Sequence, residues 1–164
     1  MKLEGLVLRK KILRDSDLAL SVFSKTAGRL WLVKERALKK PQAGLDLFCR
    51  NEFVLSRLQD FGLIYQAASL ELFAGLRRDY TRMQTAAEAV KLIEKITSSL
   101  QANAGLYNLL LQYLRTLADL SIAAAKLDNI KLQWYQTVLE NEGIYDGRPV
   151  TEKNFRRQIA DYRG

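Results

Sequence analysis

The stretch Leu18-Ala19-Leu20-Ser21-Val22-Phe23-Ser24-Lys25-Thr26-Ala27-Gly28-Arg29-Leu30-Trp31-Leu32-Val33 decides how the first part of the chain folds. Two runs rich in apolar and aromatic residues, Leu18–Phe23 and Leu30–Val33, flank Ser24–Gly28. Gly28 can take the positive φ that a tight turn requires, so the stretch reads as a β-hairpin. Working outward, Leu3–Ile12 carries Leu6, Val7 and Leu8 ahead of the basic run Arg9-Lys10-Lys11 and reads as a strand. Downstream, Phe48–Leu58 alternates loosely and Leu63–Leu72 is a fifth strand, with Asp60-Phe61-Gly62 as the turn between them. Five short strands in one basic unit match an OB barrel. A small sandwich or an SH3-like barrel would carry a similar strand count.

After Phe73 the period changes. Met83, Ala86, Ala87, Val90, Ile93, Ile96 and Leu100 recur at helical spacing. A second helix carries Leu106, Leu109, Leu110, Tyr113, Leu114 and Leu117, and a third carries Leu127, Ile130, Trp134, Val138 and Leu139. Asn103 and Gly105 break the first helix from the second, and Gly143 ends the third. Glu152–Arg163 is a basic stretch that forms a short helix or stays loose. The expected class is α+β: a five-stranded OB-type β-barrel over residues 1–72, as a nucleic-acid-binding domain, followed by an all-α domain over residues 73–164.

Of the 164 residues, 48% are apolar, enough to build a core. The net charge is +8, which points to a polyanionic partner such as nucleic acid or an acidic membrane surface. The excess is uneven. Residues 1–66 hold 13 Lys/Arg against 7 Asp/Glu, whereas residues 67–164 hold 13 against 11. The barrel is therefore expected to do the electrostatic work. The absence of histidine and the single cysteine, Cys49, exclude Ser-His-Asp and Cys-His sites and Cys- or His-based zinc sites. No nucleophile–base pair, paired carboxylate motif or Gly-rich phosphate loop is present, so no enzyme, cofactor or metal is expected. One cysteine cannot form an internal disulfide, which suits a reducing cytoplasm. Met1-Lys2-Leu3-Glu4-Gly5 does not begin a signal peptide, and no apolar run is long enough to span a membrane.

Two basic runs lie near the barrel: Arg9, Lys10, Lys11 and Arg14, then Lys34, Arg36, Lys39 and Lys40, ending at Pro41. An OB barrel binds single strands by laying their backbone on a basic groove and stacking bases on aromatics. Trp31, Phe23 and Tyr65 are available for stacking, although strand aromatics in so small a domain are commonly core. In the helical part, Tyr107, Tyr113, Trp134 and Tyr135 either pack between helices or line a groove for a hydrophobic peptide. Arg115, Lys126 and Lys131 could meet a peptide carboxylate in such a groove.

Three stretches resemble the RecO family of bacterial DNA repair proteins. The first is Glu4-Gly5-Leu6-Val7-Leu8, followed by Asp15-Ser16-Asp17-Leu18-Ala19-Leu20 and Phe23-Ser24-Lys25-Thr26-Ala27-Gly28-Arg29-Leu30. The second is the basic run from Lys34 to Lys40. The third is Glu52-Phe53-Val54-Leu55-Ser56 with Leu70-Glu71-Leu72-Phe73-Ala74-Gly75-Leu76-Arg77-Arg78-Asp79. A weaker likeness continues to Gly143-Ile144-Tyr145. Glu35 departs from the family's usual glycine and puts an acid inside the basic run. The cysteine zinc motif of many members is missing, so the chain reads as a short member that lacks the zinc site.

The resemblance implies a recombination mediator in the cytoplasm, associated with the nucleoid. Such a protein binds single- and double-stranded DNA, anneals complementary strands and assists recombinase loading. Its implied partners are RecR and the C-terminal tail of single-strand-binding protein. The competing expectation is a protein–protein adaptor that docks partners in a helical groove and binds little DNA itself.

Overall fold

The computed structural model describes residues 1–59 and 61–163. Asp60, in the expected turn between the last two strands, lies outside the described residues. The strands are β1 (Lys2–Ile12), β2 (Leu18–Ser24), β3 (Gly28–Lys34), β4 (Arg50–Leu58) and β5 (Gly62–Glu71). They close into a barrel in the order β1-β2-β3-β5-β4, with β4 paired back onto β1. The β3–β5 pairing is parallel, and the other pairings are antiparallel. This is the OB-type barrel expected from the strand count. Gly28 closes the β2–β3 hairpin at φ +75°, and a Cβ there would sit 2.4 Å from the carbonyl oxygen of Gln101. Both backbone conformation and space therefore call for glycine.

Four α-helices follow among the described residues: α1 (Tyr80–Ile96), α2 (Ala104–Ala118), α3 (Leu127–Asn141) and α4 (Glu152–Arg163). The Asp79 side chain caps α1 by accepting from the Thr81 amide, and Asn103 caps α2 by accepting from the Leu106 amide. Gly105 thus belongs to the first turn of α2 and is not a breaker. Helix α1 also stops short of Leu100. The Leu100 amide donates to the Arg29 carbonyl, and Ser99 bridges to Arg29, so the edge of β3 takes over this backbone. Periodicity could not reveal that competition. Phe48 likewise precedes its strand, in the left-handed region at φ 70°.

Two apolar clusters hold the molecule together. Leu3, Val7, Leu20, Leu32, Phe53 and Ile64 fill the barrel. The larger cluster joins the helices, and it includes Leu6, Leu8, Phe23 and Phe48 from the barrel segment. Alternation along β1 explains this, because Leu3 and Val7 point inward while Leu6 and Leu8 point toward the helices. All seven residues of β2 are buried, since one face meets the barrel core and the other faces away from it under cover. The strands end at Glu71, but the apolar core runs across that point.

A polar clamp crosses the same seam. Arg50 on β4 donates 2.8 Å bonds to Glu4 on β1 and to Glu71 on β5. Arg115 on α2 donates to Glu71 at 2.9 Å. A buried arginine organises the helices. Arg82 on α1 is 3% exposed and donates to the carbonyls of Leu117 and Asp119 at 2.9 and 3.0 Å, and also to that of Ile122. It satisfies carbonyls at the end of α2 that no helical amide reaches.

Candidate nucleic-acid interface

Alternation on β3 sends Leu30 and Leu32 into the barrel and leaves Trp31 on the outside, 39% exposed. Cross-strand register sets its neighbours. Arg9 on β1 pairs with Ser21 on β2, and Ser21 pairs with Trp31. The small Ser21 is buried beneath them, and the Arg9 guanidinium lies 5.8 Å from the Trp31 ring centre. A register shift in β1 between Val7 and Arg9 aims this arginine.

A groove of about 470 Å³ opens beside Trp31. Its walls include Trp31 and Val33 of β3, Leu63 of β5, Lys11 of β1, Arg57 near the end of β4 and Phe61 just before β5. Phe61 is 39% exposed and has the Arg57 guanidinium 5.9 Å from its ring centre. The groove therefore presents two exposed rings, each with a guanidinium beside it. The β1–β2 loop closes another side through Leu13 and Asp17. This face of an OB barrel, with the loops before β2 and before β5, is where such barrels hold oligonucleotides.

The basic loop after β3 borders the groove. A second hollow of about 370 Å³ is lined by Lys34, Glu35, Arg36, Lys39 and Lys40. Glu35 lines both hollows, so the acid that departs from the family pattern stands in their shared wall. The Arg36 amide donates to Asp17 at 2.8 Å, which fixes this loop against the β1–β2 loop. Lys34 donates to the Tyr65 carbonyl at 3.1 Å. Among the described residues, Lys11, Arg14, Lys34, Arg36, Lys39 and Lys40 form no ion pair.

The structure thus brings Lys11 and Trp31 to one groove, sets Arg9 beside the Trp31 ring, and brings Lys34, Arg36, Lys39 and Lys40 to the groove's border. Arg14 sits in the exposed β1–β2 loop. Lys10 is held by Asp46 at 2.7 Å, so its charge is already matched. Phe23 is fully buried edge-on against Tyr107 and cannot stack on a base. Tyr65 is exposed, but it is not part of the groove wall. Sequence reasoning missed Arg57 and Phe61. The one available signal was a phenylalanine inside a turn, where an apolar ring has no core to fill.

The helical groove expected from Tyr107, Tyr113, Trp134 and Tyr135 is closed. Tyr107 is 1% exposed against the barrel. Tyr113 stacks on Trp134 at 4.4 Å, and the Trp134 indole donates to the Leu109 carbonyl at 2.9 Å. Tyr135 stacks on Phe155 of α4 at 3.9 Å. Residues 152–163 form helix α4, which covers this face and buries Phe155 and Ile159. Burial pushes the phenols of Tyr107, Tyr113 and Tyr135 up. Arg115 is committed to Glu71, and Lys131 to Glu152, whose carboxyl that contact holds below its usual range. Lys126 remains exposed in a short 3-10 turn, Ala124–Lys126.

A different apolar hollow, of about 480 Å³, lies between β1 and α1. Leu8, Phe48, Ala87 and Val90 line it, with Arg9, Lys10 and Lys91 among its polar residues. Among the described residues, no helix is long and apolar enough to cross a membrane.

The barrel order, its two-ring groove and the appended helices define an OB-barrel protein with a helical extension. A scan against protein-family models found no match. Among curated proteins, the chain is 32% identical over 119 residues to the DNA repair protein RecO of Desulforudis audaxviator, which covers 71% of this chain and 48% of that protein. It is 29% identical over 147 residues to that of Alkaliphilus metalliredigens, covering 88% and 58%. For that of Desulforamulus reducens the identity is 31% over 120 residues, covering 71% and 47%. The chain belongs to the RecO family, and it spans about half the length of the curated relatives it matches.

Proposed function

We propose that this chain is a DNA-binding recombination mediator that takes single-stranded DNA in the groove between Trp31 and Phe61. The observation that carries the reading is a groove of an OB barrel walled by two exposed rings, each with a guanidinium near its face. Bases stack on rings whatever their sequence, so binding is sequence-tolerant. The backbone follows Lys11 and the loop from Lys34 to Lys40, and displaced counterions supply much of the affinity. Duplex DNA meets the same basic loop through its phosphates alone. Annealing and help with recombinase loading follow from charge neutralisation and strand presentation, without covalent chemistry. Such a protein works on DNA in the cytoplasm, at the nucleoid.

Family membership supports RecR and single-strand-binding protein as partners. The hydrophobic tail of the latter would use the hollow between β1 and α1, which has an apolar floor and, beside the paired Arg9, Lys10 and Glu94, the cation Lys91 at its edge. That hollow is also what the adaptor reading would use. Titration of labelled single-stranded DNA at two salt concentrations separates the readings. A mediator binds, and its affinity falls steeply with salt. An adaptor binds the tail peptide and leaves the DNA free.

A further inference from the structure

Arg9 has two partners. Its guanidinium lies beside Trp31, and its Nε forms an ion pair with the Glu94 carboxylate on α1 at 2.9 Å. Among the described residues this is the polar contact of the Glu94 carboxylate. The Glu94 side chain is 15% exposed, and its other oxygen is buried with no hydrogen-bond partner. We propose that Glu94 is a built-in competitor for nucleic acid at the aromatic groove, holding Arg9 in an ion pair that a strand's phosphate must displace. The inference rests on the groove being a single-strand site.

A guanidinium matched by a carboxylate offers little net charge to a phosphate. To recruit Arg9, a strand must leave a largely buried carboxylate unpaired, and that cost comes off its affinity. Glu94 thereby sets the threshold for binding. A chain of phosphates gains little at Arg9, whereas a strand that also stacks a base on Trp31 can offset the cost. The contact is not the sole tie between α1 and the barrel. Arg29, on the same face of β3, separately anchors the end of α1 by donating to the Thr97 carbonyl at 3.1 Å and accepting from the Leu100 amide at 2.9 Å.

The test compares the full chain with Glu94→Gln, Arg9→Gln, the double variant and Glu88→Gln. Anisotropy of a labelled oligothymidylate is read at several salt concentrations, with circular dichroism confirming the fold. Glu88 is exposed on the same helix, so its variant removes the same charge without touching Arg9. Glu94→Gln is expected to bind about two- to fivefold tighter, as release of a partly exposed ion pair allows. Its salt dependence should steepen by about 0.7, the share of one more neutralised phosphate on a single strand. Both effects should vanish in the Arg9→Gln background and be absent from Glu88→Gln. Binding equal to or weaker than wild type by Glu94→Gln overturns the proposal, as does equal tightening with Arg9 removed. If the unaltered chain binds no single-stranded DNA, the groove reading falls and takes this proposal with it.

Discussion

The phenol of Tyr107 donates a 2.7 Å hydrogen bond to the carboxylate of Glu4, across 103 residues of chain. One residue sits on α2 and the other on the first strand of the barrel, so the bond ties the two halves together at a covered seam. Replacing Tyr107 with Phe keeps the ring against Phe23 and removes only the donor. A hydrogen bond to a charged group is worth about 1.5–3 kcal/mol. Glu4 keeps Arg50 and some solvent, so a loss of about 1–2 kcal/mol is expected. Urea unfolding measures it, and an unchanged midpoint would show that the seam is held by apolar packing alone.

The same seam predicts a pH response. Hydrogen bonds from Arg115, opposed by burial, leave the Glu71 carboxyl below its ordinary value of 4.5. Burial alone would raise Glu4, but the bonds from Tyr107 and Arg50 hold it below 4.5 as well. A carboxyl with a lowered value in the folded protein adds stability that is complete above its unfolded value. That stability is lost as pH falls through the folded value. The Tm should therefore drop on acidification below pH 4.5, the ordinary value of both groups. Glu71→Gln should have a lower Tm at neutral pH and a flatter profile below it, readable by scanning calorimetry. Parallel wild-type and variant profiles would contradict the assignment.

Arg82 is buried among the helices and donates to three backbone carbonyls. Arg82→Leu keeps apolar volume but leaves the Leu117, Asp119 and Ile122 carbonyls without their donor. Leaving buried carbonyls without a donor costs about 1–3 kcal/mol, so a loss in that range is expected. Denaturant melts should show a clear midpoint shift, and a shift near zero would mean that water replaces the guanidinium freely.

The barrel was readable from sequence because its strands obey simple rules. The Ser24–Gly28 turn, the positive φ at Gly28 and the alternation through Trp31 are local properties. The helices were readable for the same reason, but their ends were not. Leu100 leaves its helix because Arg29, some seventy positions away, takes its amide. The basic loop was legible as a charge cluster, yet nothing local showed that Lys10 is matched by Asp46 or Arg9 by Glu94. The helical aromatics misled for a related reason. An aromatic on a helix face reads the same whether the face is open or, as at Tyr135, covered by a later helix.

Charge reversal at Lys39 and Lys40 should separate backbone binding from folding. Both are exposed in the loop after β3 and make no ion pair among the described residues. Surface changes of this kind usually alter stability by about 0.5 kcal/mol or less. The double variant Lys39→Glu and Lys40→Glu should fold normally and bind DNA more weakly. The salt dependence for single strands should fall by about 0.7 for each phosphate that is no longer neutralised. Wild-type binding by a folded double variant would reduce this loop to a solvated face.

The rings should behave in the opposite way. Trp31→Ala and Phe61→Ala remove stacking surface without removing charge. Each is therefore expected to cost about 1–3 kcal/mol of single-strand affinity, the typical loss when a stacked ring is truncated. The salt dependence should stay close to wild type, because the same phosphates are still neutralised. Duplex DNA, whose bases are already stacked on each other, should lose much less. The difference between the two substrates matters, since a variant that had merely loosened the barrel would weaken both. Trp31 is also well placed to report directly. The other tryptophan, Trp134, is buried against Tyr113, so fluorescence changes on titration with unlabelled single strands should come from Trp31. A Trp134→Phe background isolates that signal. Quenching by single strands that is lost in Trp31→Ala supports base stacking on the ring. If single-strand binding survives in both alanine variants and Trp31 emission does not respond, the strand does not run through this groove, and the basic loop alone holds the DNA.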